Sequence, residues 1–252
     1  MQKRKNSTSI FRIIFVLWTI QIGFAQSKTV DVAPFAKVIV SPHVQVTFQQ
    51  GATESVVIES NTVSEDKINI EVKGNTLRIY LEGAKEVTKN EKTYENGYKR
   101  KKSVYNGTIV KATVIYKNLE ELSLRGEEKF ICKSALEGDN FRLKIYGESQ
   151  VYLDNVALGS LQITIYGESY LEIKEGTIDR QRITAYGETK VNSLGVESTS
   201  AKITAYGEGS YRLHVLENLK VTSFGEATVT YQGNPEIDKG IIIGEATIQK
   251  IQ

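Results

Sequence analysis

The chain has 252 residues, with 32 Lys and Arg against 30 Asp and Glu, and a single cysteine. One thiol cannot close an intramolecular disulfide, so core packing and backbone pairing must hold the fold. Near-balanced charge gives no sign of the concentrated basic face that a nucleic-acid partner requires.

Residues 1–25 read as a secretory signal peptide. Lys3, Arg4, Lys5 and Arg12 form a basic start without an acidic residue, and a mostly apolar run from Ile13 to Ala25 follows. That run is too short for a membrane span, and Gly23-Phe24-Ala25 offers a small-x-small cleavage site. A short retained anchor is the alternative; no cysteine at the site favours a lipid anchor. Cleavage would start the mature chain at Gln26 with no transmembrane segment and would leave 28 basic residues against 30 acidic. The remainder is long enough for one elongated domain or two small ones.

From residue 26 to 118 the pattern is one of short strands. Ala36–Ser41, Val44–Phe48, Val56–Glu59, Ile68–Val72 and Leu77–Leu81 are strand-like runs separated by turns. They read as irregular first coils or as a sheet capping the regular structure beyond, since a solenoid end needs a cover. The pattern stops in a charged insertion, residues 84–106, and strands resume at Thr108–Tyr116. Within the insertion Lys99, Arg100, Lys101 and Lys102 stand near Tyr94, Tyr98 and Tyr105. A mobile loop is the plain reading; a contact site for an acidic glycan, lipopolysaccharide or partner protein is the sharper one.

Residues 119–252 repeat. A Gly-Glu pair recurs at Gly126, Gly147, Gly167, Gly187, Gly207, Gly225 and Gly244, at intervals of 21, 20, 20, 20, 18 and 19 residues. A fixed period of this size marks a solenoid, each coil stacked on the last. Within a repeat such as Leu143–Leu153, odd positions are apolar or small and even ones polar or aromatic, the period of a strand. The expected fold is all-β: a right-handed parallel β-helix with coils of about 20 residues, aliphatic stacks inside, and the repeated Gly on the inward register. Cys132 falls on that register too, as a small core hydrophobe.

The outward register writes ladders. Before the Gly come Arg125, Tyr146, Tyr166, Tyr186, Tyr206, Phe224 and Ile243; after it come Glu127, Glu148, Glu168, Glu188, Glu208, Glu226 and Glu245. Thr164, Thr184, Thr204 and Thr222 lie three before it, and Arg142, Gln162, Arg182, Lys202, Lys220 and Lys239 five before it. Stacked aromatics stabilise a solenoid by themselves, Thr suits a strand, and the basic row reads as a solvated face near a turn. The candidate ligand-binding strip is Tyr146, Tyr166, Tyr186 and Tyr206 with Glu148, Glu168, Glu188 and Glu208. Like charges about 4.8 Å apart repel, so the Glu row calls for flanking Lys129 and Lys190, for bonds to backbone amides, or for cations. The Gly/Asp-rich nonapeptide of calcium-binding rolls is absent from the repeat, so neither a metal nor another cofactor is expected.

Catalytic signals are sparse. His43 and His214 lie far apart, and the sequence shows neither a nucleophile-elbow serine nor a phosphate-binding Gly loop. A glycosidase needs two carboxylates in different environments, whereas the Glu row offers repeated similar ones. No enzyme is expected.

Ile145-Tyr146-Gly147-Glu148-Ser149-Gln150-Val151 and its sister repeats, closed by Val229-Thr-Tyr231-Gln-Gly233-Asn-Pro235, resemble the putative auto-transporter adhesin head GIN domain family, found mostly in Bacteroidetes. Pro34-Phe35, Val38-Ile-Val40 and Val44-Gln-Val46-Thr-Phe48-Gln-Gln-Gly51 resemble the family's opening strands. The resemblance runs from about Val32 to Ile251 and makes residues 26–252 one GIN-type domain. Where the family carries Ser before the Gly and Ser-Gly-Asp after it, this chain carries Tyr and Glu-Ser or Glu-Thr. The family's name implies surface attachment and defines no binding residues. The reading is a non-catalytic exported envelope protein, an adhesin-like module for glycan, matrix or envelope protein. A periplasmic structural or envelope-sensing protein is the alternative, and a polysaccharide-active β-helix enzyme stands behind both. Periplasm, cell surface and medium all fit export; with no anchor or translocator before Gln252, the first and last are favoured.

Overall fold

The computed structural model describes residues 27–95 and 98–251; the expected signal peptide lies outside them. The described chain is almost entirely strand: β1 (Lys28–Asp31), β2 (Lys37–Val40), β3 (Val44–Gln50), β4 (Ser55–Asn61), β5 (Ile68–Lys73), β6 (Thr76–Leu81), β7 (Asn90–Glu95), β8 (Tyr98–Ser103) and β9 (Val110–Tyr116). Then come β10 (Glu121–Gly126), β11 (Lys129–Cys132), β12 (Leu136–Gly147), β13 (Gln150–Tyr166), β14 (Ser169–Tyr186), β15 (Thr189–Gln232) and β16 (Glu236–Lys250).

The repeat winds as a parallel β-solenoid. Leu143, Ile163, Ile183 and Ile203 lie in one register, as do Tyr146, Tyr166, Tyr186 and Tyr206. Alternation decides which side each residue takes: Leu143, Ile145, Leu161, Ile163, Ile165, Leu171, Ile183, Val191 and Ile203 are buried in one continuous core with Cys132. Each such aliphatic side chain contributes about 1.5–3 kcal/mol on burial. The stretch β15 holds two coils, its Tyr206 stacked on its own Phe224. In the shortened coil between Gly207 and Gly225, Gly209 leaves a gap on the inward side that the buried Tyr211 ring fills.

The repeated Gly is not inward. Gly147 and Gly187 are exposed and Gly167 and Gly207 half-buried. They make the corner, with φ of +107°, +108°, +109° and +111° for Gly147, Gly187, Gly167 and Gly207, a region closed to L side chains. A Cβ on Gly187 would also stand 2.9 Å from the Gly167 carbonyl oxygen of the coil before. Backbone touches backbone at this corner, and Gly187 N–H donates to the Tyr206 carbonyl at 2.8 Å. Inside the corner, two residues past the Gly, Ser149 and Ser169 donate to the carbonyls of Gly126 and Gly147 at 2.8 and 2.9 Å.

The N-terminal part supplies both coils and a cover. Strands β2 and β3 lie parallel on β10 and β11; β6 and β9 lie parallel beyond them, so chain order and stacking order differ. Antiparallel strands then close this end: β5 on β6, and β4 with β1 on β9. Within the charged insertion the described residues pair as an antiparallel ribbon, β7 with β8. Pairs such as Glu91 with Lys102 and Thr93 with Arg100 set its register, a cross-strand pattern masked in the sequence by its charge.

Candidate functional site

The strand that enters each Gly corner presents its outward residues on one broad face. The Tyr row there is a continuous stack. Tyr146, Tyr166, Tyr186, Tyr206 and Phe224 have ring centroids 5.2, 4.7, 4.8 and 4.9 Å apart and planes within 6° of parallel. Parallel register fixes that spacing, because equivalent residues recur at the inter-strand distance. Arg125 closes one end, its guanidinium 5.1 Å over the Tyr146 ring and ion-paired to Glu86. Burial works to raise the Glu86 carboxyl, but Arg78 and Arg125 outweigh it and hold its pKa below the ordinary value.

Ring faces of the four tyrosines are covered by one another, by Phe224 and by Arg125, so no Tyr face is left for a sugar to lie on. Edges and phenol hydroxyls remain: Tyr166, Tyr186 and Tyr206 are 41%, 37% and 38% exposed. The row therefore offers hydroxyl groups on a flat, stiff edge. Stacking is worth about 0.5–1.5 kcal/mol per pair, so the row also ties the coils together.

Glu148, Glu168, Glu188 and Glu208 stand on the outside of the corner, exposed. Among the described residues they enter no ion pair, and no group of three acidic, His or Cys residues is set to hold a metal ion. Neither of the two flanking lysines reaches them; Lys129 lies 4.7 Å over the Tyr152 ring. The corner turns the carboxylates outward into water, which screens them.

The basic row is broken at both ends. Arg142, with Lys144, pairs with Glu121 of the preceding coil at 2.9 and 2.7 Å. Burial pushes the Glu121 carboxyl up, but those two cations prevail and lower its pKa. At the other end a register shift between Val221 and Ser223 places Asp238, and not Lys239, on Lys220. The ribbon residues Lys99, Arg100, Lys101 and Lys102 are consecutive and exposed on β8, so they alternate between its two faces and form no single patch.

A second cluster was not legible in the repeat. His43 sits at the β2–β3 corner with φ +70°, beside a cleft of about 400 Å³ that Thr88, Glu128 and Glu148 also line. Its Nδ1–H donates to the Gly107 carbonyl at 2.7 Å, and Nε2 accepts from the Thr88 hydroxyl at 2.6 Å. Glu128 stands where later coils have Ser149 and Ser169, and it is buried. Burial raises its carboxyl pKa, against the hydrogen bond from the Glu127 amide at 3.0 Å. With both ring nitrogens held, His43 latches the first corner to the insertion. The departure of Glu128 from the Ser/Thr of its sister coils was the available signal.

The description putative auto-transporter adhesin, head GIN domain, belongs to a family model that matches residues 34–235. Among solved structures, a putative adhesin of Bacteroides fragilis NCTC 9343 superposes with TM-score 0.70 at 18% identity, covering 90% of this chain and 96% of that one. A putative adhesin of Parabacteroides merdae ATCC 43184 gives 0.65 at 20% identity, again over 90% and 96%. A putative lipid binding protein of Parabacteroides distasonis ATCC 8503 gives 0.65 at 19% identity over the same shares. At such identities the likeness is one of fold. No curated protein matches. Among the described residues no helix is long and apolar enough to cross a membrane.

Proposed function

The chain belongs to the putative auto-transporter adhesin, head GIN domain family, and from that premise we propose that it is a non-catalytic, exported, adhesin-like binding module. Its binding face is the broad strand face that carries the Tyr row and, around the corner, the Glu row. The single observation behind this reading is the exposed, in-register edge of Tyr166, Tyr186 and Tyr206, which repeats phenol hydroxyls at the coil spacing. A rigid row of hydroxyls flanked by carboxylates suits a repeating polar partner such as a glycan or an extended matrix chain, because no loop has to order on binding. In this reading residues 1–25 direct export and are removed, residues 26–118 supply the first coils and their cover, and residues 119–252 present the face. The winding is taken as right-handed, the hand that parallel crossovers adopt.

The test is an array of bacterial and host glycans and matrix proteins, probed with the full mature chain and with Tyr166→Phe/Tyr186→Phe/Tyr206→Phe. Phenylalanine keeps the stack and deletes only the hydroxyls. Retention on at least one array member by the parent, lost in the triple variant while the β-sheet spectrum is unchanged, supports the proposal. Retention by the variant equal to that of the parent would remove the hydroxyl row from the function.

A further inference from the structure

Away from the Tyr row, along the corner where each coil enters the broad face, a groove of about 750 Å³ runs across successive coils between residues 160 and 238. Register explains it. Ser160, Arg180 and Ser200 form one outward column, and Gln162, Arg182 and Lys202 form the next, with the inward Gln181 and Ala201 as floor between them. Gln181 is fixed in turn by Ser198, whose hydroxyl donates to its Oε1 at 3.2 Å, so the floor is polar and held.

Charge is unevenly placed along this corner. Arg180, Arg182 and Lys202 have no carboxylate partner among the described residues. Acidic groups bound them on both sides: Glu137 and Asp139 line the continuation of the groove beyond Ser160, and Glu236 and Asp238 line it beyond Lys202, where Asp238 neutralises Lys220 at 2.5 Å. Three uncompensated cations thus sit in a concave, polar, elongated site on a chain whose mature charge is otherwise near balance. A groove with low-dielectric walls focuses such a field on an incoming anion.

We propose that this groove is a binding site for a short segment of an acidic glycan, with Arg180, Arg182 and Lys202 pairing with its carboxylates or sulfates. Residues of one column lie about 4.8 Å apart from coil to coil, and the two columns stand about 6.6 Å apart along each strand, so the cations are spread over the groove to meet charges strung along a chain. Arg presents a fork that fits carboxylate or sulfate through two hydrogen bonds. Ser160, Gln162 and Ser200 provide hydroxyl and amide groups for sugar hydroxyls. A single-stranded nucleic acid would call for aromatic platforms, which the groove does not have. The acidic residues at either end limit the footprint to a few sugars. The site is separate from the Tyr row and stands whether or not that row binds.

The experiment is calorimetric titration of the full mature chain with sulfated, uronate-containing tetra-, hexa- and decasaccharides, with inorganic sulfate and a single-stranded oligonucleotide alongside. Binding is expected to weaken about tenfold between low and physiological salt, and to gain little once the oligosaccharide fills the bounded segment. Arg182→Gln/Lys202→Gln should lose about tenfold or more, as two charge-assisted contacts disappear. Lys101→Gln/Lys102→Gln on the ribbon should lose nothing. All the substituted groups are exposed, and matching melting curves would confirm that each variant folds. Absence of oligosaccharide binding overturns the proposal. So does equal loss in the ribbon variant, tighter binding of the oligonucleotide, inorganic sulfate binding as tight as the hexasaccharide, or steady gain in affinity through the decasaccharide.

Discussion

The two ends of the solenoid are finished differently. At the N-terminal end the outermost parallel rungs, β6 and β9, are overlaid by antiparallel strands, and Leu77, Ile79, Val110 and Val114 are fully buried. At the other end, among the described residues, β16 pairs with β15 alone. Its inward Ile237, Ile242 and Ile248 are half-buried, and Ile241 and Ile243 are 62% and 60% exposed. A repeat presents to the next coil the edge it received from the last, so repetition by itself cannot terminate the stack. Only sequence that leaves the repeat can do so, as β1, β4 and β5 do by running antiparallel. That contrast is open to direct measurement.

The largest effect should come from matched core truncations. Ile79→Ala, under the cover, removes a fully buried side chain and should cost about 2–5 kcal/mol, while Ile248→Ala on the bare rung should cost under about 1 kcal/mol. Urea unfolding of both variants gives the answer. Equal losses would mean that β16 is as well packed as the covered end.

Next in size is a matched pair at the Gly corner. Gly187→Val forces a β-branched residue to φ +108° against the Gly167 carbonyl between two fixed coils, and about 2–4 kcal/mol should be lost. At Gly244, φ is +103° and the Gly225 carbonyl stands nearer still, but among the described residues no further strand pairs on that rung. The terminal strand can lift away, so Gly244→Val should cost less. Melting temperatures that fall by the same amount would place the whole penalty in φ and none in confinement.

Much of this was legible before any coordinates, and the exceptions have physical causes. Period and alternation gave the stacked coils, the buried Cys132, the aromatic stack and the N-terminal strands, because parallel register turns a sequence period directly into a spatial column. The corner Gly was misplaced on the inward register because alternation counts through a turn as though the strand continued; the positive φ that breaks it is invisible to a hydrophobic pattern. Lys239 was set in the basic row for the same reason, one bulge away from its true neighbour. The ribbon was read as a loop because its pairing is polar on both faces. The cations of the groove were seen as a row, but their concavity depends on the column beside them, which arrives from the previous face of the coil.

Smaller still is the effect of Glu128, which holds the corner position near the covered end that Ala246 holds on the last rung. Its folded pKa lies above the unfolded one, so as pH rises the unfolded chain releases the proton first. The stability it contributes is complete below the ordinary carboxylate value, about 4.3, and is lost as pH climbs through the raised value. Glu128→Gln should flatten the fall in melting temperature over that window. An unchanged pH profile would show that the carboxyl is solvated in the folded protein.

The smallest expected effect returns to the Glu row, where position along the stack alone should matter. Two carboxylates about 4.8 Å apart repel by about 0.9 kcal/mol in water before screening, and salt reduces this to a few tenths. Glu188 has a neighbour on either side, Glu168 and Glu208, whereas Glu245 on β16 has, among the described residues, only Glu226. Glu188→Gln should therefore raise stability at low salt by about twice as much as Glu245→Gln, and both gains should fade as salt is added. Stability lost in Glu188→Gln would mean that the carboxylate is bonded in solution or bridged by a cation. The row would then be a binding element in its own right, and the same titration repeated with calcium would tell a bridging ion from a direct bond, since only the first restores a difference between parent and variant as the ion is added.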